Sequence, residues 1–116
     1  MEDTIMKTIQ RHLANFHIAG FTYWDGVDVF DQLKIGQELQ LKADPENDYD
    51  PRAVAIYFGD VKLGYVPRDS NREIRKFLDC GHDLFETKIS QVSPDAHPEA
   101  QVRVVIKVRL NENKHQ

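Results

Sequence analysis

A single cysteine, Cys80, stands in this chain of 116 residues. One thiol cannot form an internal disulfide, a cysteine-based zinc site or a redox pair, so a packed core must hold the fold, and a reducing cytoplasm is the natural compartment. Cys80 itself reads as a small, semi-apolar residue at a helix end, of the kind that is usually buried. Long hydrophobic runs are missing too. Every apolar stretch falls well short of the ~20 residues that cross a bilayer. The start, MEDTIMKTIQRH, has no basic segment followed by an apolar one. The expectation is an unsecreted protein with no membrane partner. Cations are outnumbered: 15 Lys and Arg face 19 Asp and Glu, a formal net charge of −4. That balance excludes a protein that coats nucleic acid through its overall field, so any contact with a polyanion has to be local.

Catalytic signatures are missing as well. There is no glycine-rich phosphate loop and no serine or cysteine nucleophile motif. His12, His17, His82, His97 and His115 are scattered without ligand spacing. The carboxylates Asp44, Glu46, Asp48 and Asp50 alternate as in a calcium loop. Such a loop needs glycine at its sixth position and glutamate at its twelfth, and this chain has Tyr49 and Ala55 there. Asp44, Glu46 and Asp48 therefore read as solvated turn residues that bond their own backbone. No catalytic residue, metal or cofactor is expected.

What the chain does have is a set of short strands. Residues 44–67, DPENDYDPRAVAIYFGDVKLGYVP, join an acidic turn to two apolar runs, 53–58 and 61–66, which pivot on Gly59-Asp60 as a hairpin. The first run is apolar on both faces, as in a strand inside a sheet. Pro51 holds Asp50 extended and stiffens the acidic loop. Residues 102–110 alternate Val102, Val104, Ile106, Val108 and Leu110 with Arg103, Val105, Lys107 and Arg109, giving one core face and one mostly basic face. Further strands are expected at 38–43, from Leu39, Leu41 and Ala43, and at 84–92.

A strand at 16–21, marked by Gly20 and closed by the Asp25-Gly26 turn, would place Thr22, Tyr23 and Trp24 at its end. Neighbours on a strand face opposite ways, so at least one of those rings is expected in the core. Three helices are expected. The most secure runs from a Ser70-x-x-Glu73 capping box through Ile74, Phe77 and Leu78 to Gly81. A shorter one carries Val29, Phe30 and Leu33 between a cap at Asp28 and a stop at Gly36. At residues 4–13, Ile5, Met6, Ile9 and Leu13 have helical spacing, although an extended lead-in or self-association arm would also fit. The last residues, NENKHQ, should fray. Short strands with an inserted helix indicate a mainly β fold: a small, curled antiparallel barrel of about six strands with one to three short helices.

Three blocks in order, AGFTYWDG at 19–26, DPENDYDPRA at 44–53 and LGYVPR at 63–68, resemble the HIRAN domain pattern. That pattern has a glycine-hydrophobic-x-aromatic segment, a D/E-P-x-N-x-Y-D-x-x-A loop and a G-(Y/H)-hydrophobic block. The resemblance covers residues 16–110, between a lead-in at 1–15 and a tail at 111–116. It implies a modified OB-like β-barrel in a stand-alone, bacterial-type member, with no enzyme activity of its own. In the family's DNA-binding members the domain holds the free 3′ end of single-stranded DNA. Carried over, Tyr23 and Tyr49 would face the terminal bases and Asp50 would accept from the 3′-hydroxyl. Asn47 would bond a base edge or the backbone, Trp24 falls on a further aromatic position, and Arg68 falls on a basic one that meets a phosphate.

Two positions depart from the eukaryotic pattern: Thr22 stands in place of an arginine, and Asp48 in place of a proline. The resemblance thus implies a 3′-end-binding module for DNA repair or processing, working with a protein that carries ATPase or nuclease activity. The acidic balance, Thr22 and Asp48 leave open a protein-interaction barrel that has lost the DNA pocket. The clustered carboxylates leave open, more weakly, a metal-dependent nuclease.

Overall fold

The computed structural model describes residues 8–82 and 84–111. Six antiparallel strands, β1 (Thr8–His17), β2 (Glu38–Ala43), β3 (Val54–Phe58), β4 (Val61–Tyr65), β5 (Phe85–Val92) and β6 (Val102–Asn111), form one sheet in the order β1-β6-β5-β2-β3-β4. One α-helix, α1 (Arg72–Asp79), follows β4, and 3₁₀ turns cover Phe21–Tyr23, Asp25–Gln32 and Pro98–Ala100. The fold is mainly β with some helix, an open barrel-like sheet, in agreement with the alternation of the sequence.

The longest alternating run shows why the sheet forms. In β6, Val102, Val104 and Ile106 are at most 2% exposed, whereas Arg103, Val105 and Lys107 face outward. A slip of one residue would drive the charged set into the core, so the register is strongly specified. Phe16 and Ile18 from the β1 side, Leu39 from β2, Val54 and Ile56 from β3, Leu63 from β4, Phe85 and Ile89 from β5, Ile74 from α1, and Phe21, Leu33 and Val66 from the connections complete the core. β3 is buried on both faces at Val54, Ala55 and Ile56 and lies inside the sheet between β2 and β4.

The sheet does not stay flat. Its ladders shift register at His12/Ala14, Ile56/Tyr57 and Ile89/Gln91, and such bulges increase the right-handed twist. The sheet curls until the chain just after β1 meets β4. There the Ala19 amide donates to the Tyr65 carbonyl and the Tyr65 amide to the Ala19 carbonyl, both at 2.9 Å. β4 would otherwise be an unpaired edge. Gly64 permits this approach, for a Cβ there would lie 2.5 Å from the Ala19 carbonyl oxygen and 2.6 Å from Ile18 Cγ2, at a φ of +150°.

The structure corrects several sequence expectations. Thr8–His17 is a strand, so the helical reading fails over residues 8–13. Its partner β6 is the reason: nine residue pairs join the two strands, an enthalpy that no local periodicity can reveal. Leu13 falls at the bulge and is exposed. Residues 1–7 and 112–116, which include Ile5, Met6 and the expected frayed end, lie outside the described residues. The second 3₁₀ segment starts at Asp25, so Asp28 lies inside it and not at its cap. Asp25-Gly26 opens that 3₁₀ segment, and glycine is needed there for space as well, since a Cβ would run into the ring of buried Phe21. The capping box does not form, because the Ser70 hydroxyl turns to Asp69 and the N-cap of α1 is Asn71, whose side chain makes no cap bond. The far end closes as expected, with the Gly81 and His82 amides bonded to the Leu78 and Phe77 carbonyls. Cys80 sits at that end but is exposed.

Gly64→Ala should lower stability by about 2–4 kcal/mol, the sum of a strained backbone conformation and an overpacked contact. Urea unfolding checks this, and a midpoint equal to wild type would show that the barrel closes without that close approach.

Candidate functional site

The Ala19–Tyr65 closure forms the floor of a cleft of about 760 Å³. The turn carrying Tyr23 and Trp24 makes one wall, and the loop at 44–53, with Arg68 beyond β4, makes the other. Tyr23, Trp24, Asn47, Tyr49, Asp50 and Arg68, the six residues singled out in the sequence, all line it.

The two tyrosine rings are 83% and 84% exposed at Tyr23 and Tyr49. Neither Tyr23 nor Trp24 belongs to the core. The strand argument that put one ring inside fails because Phe21–Tyr23 is a 3₁₀ turn, and a tight turn does not send neighbours to opposite faces. Trp24 is held in place: its ring meets Tyr65 edge-on at 5.9 Å, and the Lys62 ammonium lies 3.9 Å above it. Tyr23 and Tyr49 are therefore the open flat surfaces, and Trp24 is a fixed wall.

The acidic loop is rigid for local reasons. Asn47 Oδ1 accepts the amides of Tyr49 and Asp50 at 2.8 and 2.9 Å, the bonding that asparagine brings to turns. The side-chain oxygen of Asn47 is thus committed within the loop. Arg68 Nη2 donates to the Tyr49 carbonyl at 2.5 Å and ties the loop to the chain after β4. Beneath them, Arg75 is 8% exposed, with its guanidinium on the Pro51 and Ala53 carbonyls and on Asp79. Those three acceptors satisfy a charge that would otherwise be costly to bury.

Asp50 lies where these ties converge. Its Oδ1 accepts the Arg52 amide at 2.9 Å, and its Oδ2 accepts Asn71 Nδ2 at 2.9 Å with Arg68 Nε 3.8 Å away. Burial favours the neutral acid, yet the two hydrogen bonds and the charges of Arg68 and Arg52 outweigh it and hold the carboxyl below its usual 3.8. Asn71 is fully buried. Facing a carboxylate that can only accept, it must present its amide nitrogen, and its Oδ1 is left buried without a partner.

A second network stiffens the opposite side of the loop. Lys62 Nζ donates to the Tyr65 hydroxyl at 2.7 Å, which in turn donates to Asp44 Oδ2 at 2.7 Å, and Lys62 stands 3.7 Å from that carboxylate. Asp44 is therefore no solvated turn residue. The Tyr65 hydroxyl, then Lys62 and Asn47, pull its carboxyl below the usual range against the effect of burial. Burial works against the charged form of Lys62, but Tyr65 and Asp44 raise its pKa on balance. Glu46 and Asp48 do remain exposed. Thr22 is engaged with a carboxylate, its hydroxyl donating to Glu99 at 2.6 Å. Among the described residues, no three His, Cys, Asp or Glu side chains come together in a way that could hold a metal.

The sequence did not single out Asn71, Lys62, Tyr65 or Arg75 as parts of a site. Tyr65 lies in the G-Y-hydrophobic block and could have been suspected. Asn71 is a good N-cap residue type, which hides the fact that its side chain turns to Asp50 instead.

Known proteins share this fold. The sequence model of the HIRAN domain matches residues 12–111. Among solved structures, a protein from Lactobacillus plantarum superposes with a TM-score of 0.74 at 19% identity, covering 90% of this chain and all of that one. The HIRAN domain of human HLTF superposes with a TM-score of 0.65 at 16% identity, covering 89% of this chain and 81% of that one. No curated protein sequence matches.

Two outcomes follow for the loop. Asn71→Ala should lower stability by about 1.5–3 kcal/mol, as expected for a lost hydrogen bond to a charged group, and should raise the Asp50 pKa in an NMR titration; an unmoved Asp50 would break the link. The folded-state pKa values of Asp44 and Asp50 lie below 3.8, so the unfolded chain takes up protons first as pH falls. The stability they contribute is complete above their unfolded pKa and is lost as pH drops through the folded values. Urea midpoints measured between about pH 5 and pH 2 should fall less steeply for Asp44→Asn than for wild type.

Proposed function

Because this chain belongs to the HIRAN domain family, we propose that it is a DNA-binding module whose cleft receives the free 3′-hydroxyl end of single-stranded DNA in repair or processing. It would work beside a protein carrying ATPase or nuclease activity. The observation that carries this reading is that an ionised carboxylate, Asp50, lines the same cleft as two open tyrosine rings. A carboxylate has about four acceptor positions. Amides of Arg52 and Asn71 take two at Asp50, which leaves room for a hydroxyl donor.

The chemistry of such a site favours a terminus. A carboxylate repels phosphate, so Asp50 suits the one place where a polynucleotide ends in a hydroxyl, and a 3′-phosphate would be rejected by like charge. Tyr23 and Tyr49 offer flat faces to the last bases. Arg68, its side chain 68% exposed and 3.8 Å from Asp50, would meet the phosphodiester before the terminal sugar. Asn47 serves by shaping the loop, and Asn71 by holding Asp50 in place. Two stacked bases contribute roughly 2–6 kcal/mol, which alone corresponds to dissociation constants from tens of millimolar to tens of micromolar. Further affinity therefore has to come from phosphate contacts or from the partner.

The acidic rim supports a rival reading. Asp48 is exposed and Glu99 holds Thr22, so a basic protein segment could bind where DNA is proposed to bind. Fluorescence anisotropy with short oligonucleotides separates the two. The 3′-hydroxyl end should bind more tightly than the 3′-phosphate end, and Asp50→Ala should erase the difference. Tyr49→Ala should weaken binding by about 1–3 kcal/mol. With about two phosphates neutralised, the log–log salt slope should be near −1.4. Equal affinity for both ends would sink the assignment to strand termini.

A further inference from the structure

We propose that the strand leaving the cleft runs along the outer face of β6, where Arg103, Lys107 and Arg109 neutralise phosphates upstream of the 3′ end. This rests on the preceding reading of the cleft and extends it to the path of the polynucleotide. The first observation is the arrangement of side chains. β6 pairs with β1 so that His17 lies across from Arg103, and His12 across from Lys107. It pairs with β5 so that Lys88 lies across from Val105, and Glu86 across from Lys107. Directly opposed residues share a face of the sheet, so one outer surface collects Arg103, Lys107, Arg109 and Lys88. Glu86, Lys88, Val105 and Lys107 together line a shallow hollow on it.

The second observation is where the positive charge remains. Glu86 accepts Lys88 at 2.9 Å and lies 3.8 Å from Arg109, and Glu38 of β2 stands across from Lys88. These two carboxylates offset Lys88 and part of Arg109, so the remaining surplus on this face lies on β6, chiefly at Arg103 and Lys107. Arg103 bonds a neutral partner, Asn15 Oδ1, at 2.6 Å. In a chain of net charge −4, this face is a local inversion.

The third observation is continuity with the cleft. His17 and Ala19 flank buried Ile18 and so point to the same outer side, and Ala19 lines the cleft. The Ile18 amide bonds the Val102 carbonyl and His17 pairs with Arg103, so Arg103 neighbours the segment that runs into the cleft, with Arg109 roughly 20 Å further along the strand. Lys107 and Arg109, two residues apart on the strand, are spaced comparably with neighbouring phosphates of an extended single strand, and Arg103, four residues from Lys107, matches a phosphate one further on. Another way out of the cleft, along α1, carries no surplus: Arg72, Arg75 and Lys76 are matched by Asp69, Glu73 and Asp79.

The test uses 5′-labelled thymidine oligonucleotides with 3′-hydroxyl ends, a trinucleotide that fills only the cleft and a strand of about 12 nucleotides. Wild type should bind the longer strand more tightly, with a salt slope steeper by about 2, as three neutralised phosphates contribute roughly 0.7 each. Its advantage should shrink roughly twentyfold between 50 and 200 mM salt. The combined Arg103→Gln, Lys107→Gln, Arg109→Gln variant should bind both oligonucleotides alike, with trinucleotide affinity unchanged. Glu86→Gln should tighten binding of the longer strand only, a gain that a misfolded protein could not produce. The path is overturned if the combined variant keeps the length advantage, or if that advantage is lost instead on Arg72→Gln with Lys76→Gln. Should 3′-hydroxyl and 3′-phosphate strands bind equally while the β6 variants still lose the length advantage, the terminus reading fails and the β6 path stands.

Discussion

Two backbone hydrogen bonds between Ala19 and Tyr65 hold the ends of the sheet together, and the cleft exists because of them. β1 is fixed to β6 along its length, so the chain that leaves β1 can reach β4 only if the whole sheet curls. Once it does, the turn with Tyr23 and Trp24 is set opposite the loop that carries Tyr49 and Asp50. The missing side chain of Gly64 is what allows the backbones to come this close. Tyr65 then serves twice, its backbone closing the barrel while its ring and hydroxyl brace Trp24, Lys62 and Asp44.

Around that closure an acidic chain builds an ordered site by giving each inward carboxylate its own donors. Asp44 has a hydroxyl and an ammonium, while Asp50 has two amides and a nearby guanidinium. The arrangement costs the helix its side-chain cap, since Asn71 turns away from the α1 amides to reach Asp50. It also leaves one buried Asn71 oxygen unpaired. Such local sacrifices are expected where function and folding compete for the same residue. Charge follows the same logic on a larger scale, because the overall negative balance coexists with a basic outer face on β6.

The hairpin at Gly59-Asp60, the alternation of β6 and the Gly81 helix end were all legible, because each depends on residues close together in the chain. The N-terminal strand was not. Its apolar spacing suits a helix, and only pairing with β6, nearly a hundred residues later in sequence, makes it a strand. Ser70 and Glu73 carried a sound capping signal, but nothing local says that Asn71 would be drawn into a bond with Asp50. That six residues of the three-block pattern would line one cleft was legible, while the residues that brace them, Lys62, Tyr65, Asn71 and Arg75, were not.

By itself the sequence determined the period-two strands, the turns between them and the stiff acidic loop, since backbone preference and hydrophobic alternation act over a few residues. The tertiary structure alone decided that both aromatic rings of the turn line the cleft, that the buried Asn71 amide and Arg68 join the Arg52 amide in holding the Asp50 carboxyl below its usual range, and that the basic outer face of β6 neighbours the segment that runs into the cleft. Each of these depends on contacts between segments that the chain keeps far apart, and no local signal encodes such contacts.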